Sequence, residues 1–197
     1  MQKPLRRLSF SLDRFTTTRA LIVLTIVFVL FSIVFVYVDT PFSVKRIEKL
    51  SGGVRILDQQ RNYTTAMAYH FLDAYGETGR QTYRRILAAD VFYPLLYGAF
   101  LSIAITWFFR RAFAAERVVQ LLNLLPWLTV LFDYSENIGL YVMLARYPTQ
   151  LPTVVAITSH LSMLKQLLSS MSILALLIGI IFYLAKKAGL PRPYKTG

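Results

Sequence analysis

Residues 20–38, ALIVLTIVFVLFSIVFVYV, run for nineteen positions without a charged side chain. At about 1.5 Å of rise per residue such a helix reaches about 28 Å, close to the thickness of a bilayer's hydrocarbon core. Backbone N–H and C=O groups find no partners in hydrocarbon, so a segment this apolar enters lipid as a helix or not at all. A secretory signal is the rival reading, since basic residues precede the run. The run is too long for one, however, and no small-x-small cleavage site follows at Tyr37-Val38-Asp39-Thr40. A second uncharged run of nineteen residues, 91–109, closes on Trp107 and Arg110-Arg111, an interfacial aromatic followed by basic anchors.

Two further apolar segments carry polar interruptions. Segment 118–145 contains Asp133, Glu136 and Asn137, and segment 153–185 contains His160 and Lys165 before a clean stretch from Leu167 to Ala185. The expected fold is all-α, a polytopic membrane protein with four transmembrane helices in a bundle. Its spans are 20–38, 91–109, 118–145 and 153–185. The remainder divides into a basic tail (1–19), a helical extracytoplasmic segment (39–90) forming a small cap, a short loop (110–117), an outer turn (146–152) and a second tail (186–197).

The charge supports that division and gives it a direction. Among 197 residues there are 22 Lys and Arg against 10 Asp and Glu, a net charge of +12. In a soluble protein this would point to nucleic acid. Here twelve of the basic residues and only Asp13 and Glu116 among the acids fall in the tails and the 110–117 loop, whereas segment 39–90 holds eight basic and six acidic residues. By the positive-inside bias both termini are cytoplasmic, with the chain in the inner or plasma membrane of the cell. The cationic excess then serves topology, with anionic lipid headgroups as its partners and no role for nucleic acid. No cysteine is present, which removes disulfides, thiolate metal sites and cysteine nucleophiles together. No cofactor and no metal are expected.

Segment 39–90 is too short to bury a core of its own. Ser51-Gly52-Gly53 interrupts it, and Thr64-Thr65 opens a helical pattern in which Met67, Phe71 and Ala74 share a face. From Arg80 onward Tyr83, Leu87, Asp90, Pro94 and Tyr97 recur at spacings of three and four, predicting a helix that runs directly into the second span with a kink at Pro94. Asn62-Tyr63-Thr64 is a glycosylation sequon, meaningful only in a chain that passes an endoplasmic reticulum. His70 and Asp73, three apart, read as a solvated helix face rather than metal ligands.

Charges inside spans are the most informative feature, because each costs about 2.5–3.5 kcal/mol at a helix centre unless it is paired. Counting about 20 residues from each cytoplasmic anchor brings all four helices to polar residues at one level: Asp39, Asp90, Glu136 or Asn137, and Lys165. Asp133 lies one turn deeper. In a regular antiparallel hairpin centred near Thr149, Asp133 and Lys165 are equidistant from the turn and face each other. One reading is structural, with Lys165 fixing the hairpin and Asn137 bridging helices. The other is a polar pocket near the outer leaflet, lined by Asp90, Tyr93, Tyr97, Asp133, Glu136, Asn137, His160 and Lys165, with Asp133 and Glu136 as candidate acid and base.

The strings Tyr63-Thr-Thr-Ala66, Gly79-Arg80-x-x-Tyr83, Tyr93-Pro94-Leu-Leu-Tyr97 and Asp133-x-x-Glu136-Asn137, over residues 60–165, resemble uncharacterised bacterial four-span membrane proteins. The resemblance implies topology and marks Gly79, Arg80 and Tyr83 as an outer motif; it implies no activity. Hydrolysis by a Ser-His-Asp or zinc mechanism is disfavoured by two His, no Cys and no nucleophile-elbow or His-Glu-x-x-His pattern. The expectation is a protein that binds or handles a lipid or lipophilic ligand at the polar site. A scaffold or assembly subunit is the first alternative. The second is a subunit of an ion- or proton-coupled transporter, which with four spans and no inverted repeat would need a homo-oligomer to complete a path.

Overall fold

The computed structural model describes residues 16–113 and 119–189. Residues 1–15, 114–118 and 190–197, which hold seven of the twelve basic residues assigned above to the tails and the 110–117 loop, lie outside them. Among the described residues every regular element is a helix. Three helices are long and apolar enough to cross a membrane: Thr18–Tyr37, Phe92–Ala112 and Pro152–Lys187. These mark a multi-pass membrane protein.

The first helix, α1 (Thr18–Ser32), begins where the Thr17 side chain accepts the Ala20 N–H at 3.0 Å, a standard N-cap, and ends in a wide turn over Ile33–Tyr37. None of its residues is buried, and Ile22, Val23, Ile26 and Leu30 are more than half exposed. A soluble protein could not keep such a surface in water. Helix α1 packs on α5 (Phe92–Ala112), which lies centrally and also meets α6 (Leu125–Arg146) and α7 (Pro152–Lys187). The largest interface is between α6 and α7. It is tight because Gly139 has no side chain: a Cβ there would stand 2.0 Å from Thr158 Oγ1.

Helix α6 is not among the three apolar candidates, since Asp133 and Glu136 sit in its middle. Its α-helical turns start at Leu125, after a 3₁₀ stretch over Val119–Leu124, seven residues later than the run at 118 suggested. Helix α7 has 36 residues, about 54 Å of helix, so it outruns a hydrocarbon core of about 30 Å.

Residues 39–90 form three helices, α2 (Val44–Leu50), α3 (Thr65–Ala74) and α4 (Gly76–Ala89), with one 3₁₀ turn at Leu57–Gln59. Their buried side chains join those of Leu140, Met143 and Leu144 on α6 and Val155 on α7 in one core, so this segment shares its core with the helix ends beneath it. Two expectations are corrected. The face of α3 that is buried carries Ala68, Tyr69 and Leu72, whereas Met67 is exposed: the side of the helix turned to the α6 and α7 ends sets the face. And α4 does not run into α5. Helix α4 ends at Ala89, Asp90 and Val91 break the helix, and α5 starts at Phe92. In a continuous helix the Pro94 ring would collide with the Asp90 carbonyl four residues earlier; the break removes that clash, so Pro94 sits in a first turn instead of kinking a long helix.

Candidate functional site

The polar side chains of α5, α6 and α7 meet in one chain of contacts. Lys165 on α7 places Nζ 2.5 Å from Glu136 Oε2 and 3.4 Å from Asp133 Oδ1, both on α6. The other oxygen of Asp133 accepts the Tyr97 hydroxyl of α5 at 3.0 Å. Glu136 Oε1 accepts the Ser162 hydroxyl, and the Tyr63 hydroxyl lies 3.5 Å from Ser162 Oγ. Glu136 and Ser162 have no solvent exposure at all. Asp133 and Glu136 share a face because they are three apart, and the antiparallel hairpin brings Lys165 between them. Among the described residues no His, Asp and Glu set is gathered that could hold a metal ion.

Beside this chain lies a cavity of about 350 Å³, lined by Phe35, Val36, Val44, Ile56, Tyr93 and Gln59 as well as Asp58, Asp90, Asp133, Lys165 and Gln166. One wall is apolar and comes from the wide turn after α1, from α2 and from the chain before the 3₁₀ turn. The other carries charge. Asp90, buried in the α4–α5 break, accepts the Asn137 side-chain amide at 2.6 Å. Burial, reinforced by Asp133 and Asp58, pushes its carboxyl well above the usual range. Asp58 Oδ1 and Asn137 Oδ1 are out of contact with water and have no hydrogen-bond partner. Burial pushes Asp58 up to about 6 against the opposing pull of Lys165.

A second depression of about 500 Å³ is bounded by Tyr37, Asp39, Lys45, Glu48, Lys49 and Gly53. Its charges are exposed and satisfy one another, Lys49 with Asp39 at 2.9 Å and Lys45 with Glu48 at 3.5 Å, so it is a surface cleft of solvated ion pairs.

Of the residues singled out from sequence, Asp90, Tyr93, Asp133 and Lys165 line the cavity, and Tyr97, Glu136 and Asn137 stand directly behind it. His160 does not belong. It is exposed, its Nδ1 2.7 Å from the Ala156 carbonyl of its own helix, because five residues from Lys165 is about 140° around a helix. The outer motif takes no part in the cavity wall but positions it. The Tyr83 hydroxyl, fully buried, accepts the Asp58 backbone N–H at 3.2 Å. Arg80 donates to the Leu72 carbonyl at 2.8 Å and lies 3.9 Å above the Tyr147 ring. Gly79 leaves room for Tyr75, whose Cβ would be 2.9 Å from an added Cβ.

Asp58, Gln59 and Gln166 escape sequence reasoning. Asp58 lies in a single 3₁₀ turn with no periodicity to mark it, and its place is fixed by a tyrosine 25 residues away. Gln166 donates to the Gln60 carbonyl at 3.3 Å and accepts from Arg61 at 3.1 Å, tying α7 to the same loop. No protein-family model, curated protein or solved structure matches this chain.

Proposed function

We propose that this protein spans the membrane four times with both termini in the cytoplasm, and that it binds a lipid or lipophilic amphiphile in the cavity at the outer membrane boundary. Helix α6 is the fourth span in this reading. Its two carboxylates are matched by Lys165 and Tyr97, which removes most of the penalty that unpaired charges would carry in lipid. Residues 39–90 form the outer cap and give the cavity its roof.

The observation that carries the binding reading is the make-up of the cavity: an apolar wall at the end of the most lipid-exposed helix, facing a charged wall with unsatisfied acceptors. Clefts with that combination are the usual form of a site for a ligand with one apolar and one polar end. The scaffold alternative explains the Lys165 chain but not the cavity beside it.

Two experiments test this. The chain has no cysteine, so single cysteines at Thr149 and Lys187 should label from opposite sides of the membrane; labelling from one side refutes the topology. Native mass spectrometry of the purified protein should show a retained lipid. Protein that inserts and unfolds cooperatively but carries no retained lipid would refute the pocket.

A further inference from the structure

Resting on that reading, we propose that the cavity selects amphiphiles headed by a protonated primary amine, held by Asp58 and Asp90. Three of the four charged residues lining the cavity are carboxylates. The fourth, Lys165, is committed to Glu136 and Asp133 at 2.5 and 3.4 Å, and the remaining Asp133 oxygen is taken by Tyr97. What the cavity has left over is acceptor capacity: Asp58 Oδ1 beside it and Asn137 Oδ1 behind Asp90, both sealed from water and without a partner. Buried acceptors call for donors.

An anionic head, phosphate or carboxylate, would meet three acidic side chains with no cation left free to pair with it and supply no donor. A trimethylammonium head has the charge and no N–H. A primary ammonium supplies three N–H donors and a positive charge at once. The volume, about 350 Å³, is near the lower end of ligand cavities, which run from about 300 to 1,000 Å³. It suits a headgroup and the first methylenes against Phe35, Val36, Val44 and Ile56, with the chains outside. The chains then lie against α1, whose Ile26, Val27 and Leu30 are exposed and apolar.

The test is competitive titration of the full-length protein in nanodiscs, read by native mass spectrometry, with phosphatidylethanolamine, phosphatidylcholine, phosphatidylglycerol and dodecylamine. Phosphatidylethanolamine should bind at least about tenfold tighter than the other two phospholipids, the factor for one charge-assisted hydrogen bond of about 1.4 kcal/mol, and dodecylamine should displace it. Dodecylamine binding without a preference among phospholipids still supports an ammonium site and assigns it to a free lipophilic amine. Asp58→Asn and Asp90→Asn, each checked to be no less stable than wild type in thermal unfolding, should lose the preference about tenfold, while His160→Ala keeps it. Equal binding of all three phospholipids together with no dodecylamine binding overturns the amine selectivity and leaves an amphiphile site standing. No retained lipid or amine of any kind overturns both.

Discussion

Removing the Lys165 charge should destabilise the bundle more than removing the whole cluster. Its Nζ lies 2.5 Å from Glu136 and 3.4 Å from Asp133. At an effective dielectric constant of about 20 those contacts amount to about 7 and 5 kcal/mol before desolvation. Desolvation of three ions offsets most of that sum, so the pairs contribute little beyond an apolar substitute. Lys165→Met, similar in length, leaves Glu136 and Asp133 with no cation between them, and the expected loss is about 3–5 kcal/mol. Lys165→Met combined with Asp133→Asn and Glu136→Gln removes the stranded charges while the Tyr97 and Ser162 hydrogen bonds persist, and should recover most of it. Thermal unfolding in detergent, followed by the fluorescence of Trp107 and Trp127, reads both. A loss of about 3–5 kcal/mol corresponds to a drop of about 10 °C for a chain of this size. A single variant within about 2 °C of wild type, or a triple variant no better than the single, would refute the claim that the carboxylates depend on Lys165.

Other predictions concern the parts around it. Asp58 is raised to about 6 from an ordinary 3.8, so the folded state binds its proton more tightly than the unfolded one. Stability should rise as pH falls from about 7 through 6 towards 4, by up to about 3 kcal/mol from this group, and Asp58→Asn should flatten that slope in thermal unfolding measured against pH; an unchanged slope refutes the assignment. Tyr83→Phe leaves the Asp58 N–H without its acceptor and should cost about 1–3 kcal/mol, with faster hydrogen exchange confined to residues 56–60. Gly139→Ala forces a methyl group against Thr158 and should cost about 1–3 kcal/mol, partly recovered by Thr158→Ala; no recovery would place the strain elsewhere.

Much of this is visible in the sequence wherever regular helices carry the information. The Asp133–Lys165 pairing follows from counting residues away from the 146–152 turn, and it is found at 3.4 Å because α6 and α7 are unbroken and held in close register at Gly139. The same counting fails at α4 and α5, where Pro94 breaks the helix that periodicity alone would continue. His160 looks like a site residue only until its angle around α7 is considered. Asp58 carries no sequence signal of its own; its location depends on contacts across 25 residues. Helical periodicity reports neighbours within an element, and a one-turn segment placed by a distant tyrosine lies beyond its reach.

The structural and ligand-binding readings of the polar layer divide by residue. Glu136, Ser162, Tyr97 and Asp133 have their hydrogen-bonding capacity matched within the bundle, so changes there act first on stability and reach a ligand only through Lys165 and Asp133. Asp58, Asp90 and Asn137 lie on the roof side, where acceptors remain unmatched. A protein selected for stability alone gains nothing from burying such groups, since each unmet acceptor costs about 1–3 kcal/mol. Substitutions in the first set should therefore lower the unfolding temperature and affect binding in proportion. Substitutions in the second should change binding with little loss of stability, and Asp58→Asn should raise stability at neutral pH by removing a buried charge. A scaffold would show the first behaviour throughout the layer, so the two sets measured side by side separate the readings without the ligand being known.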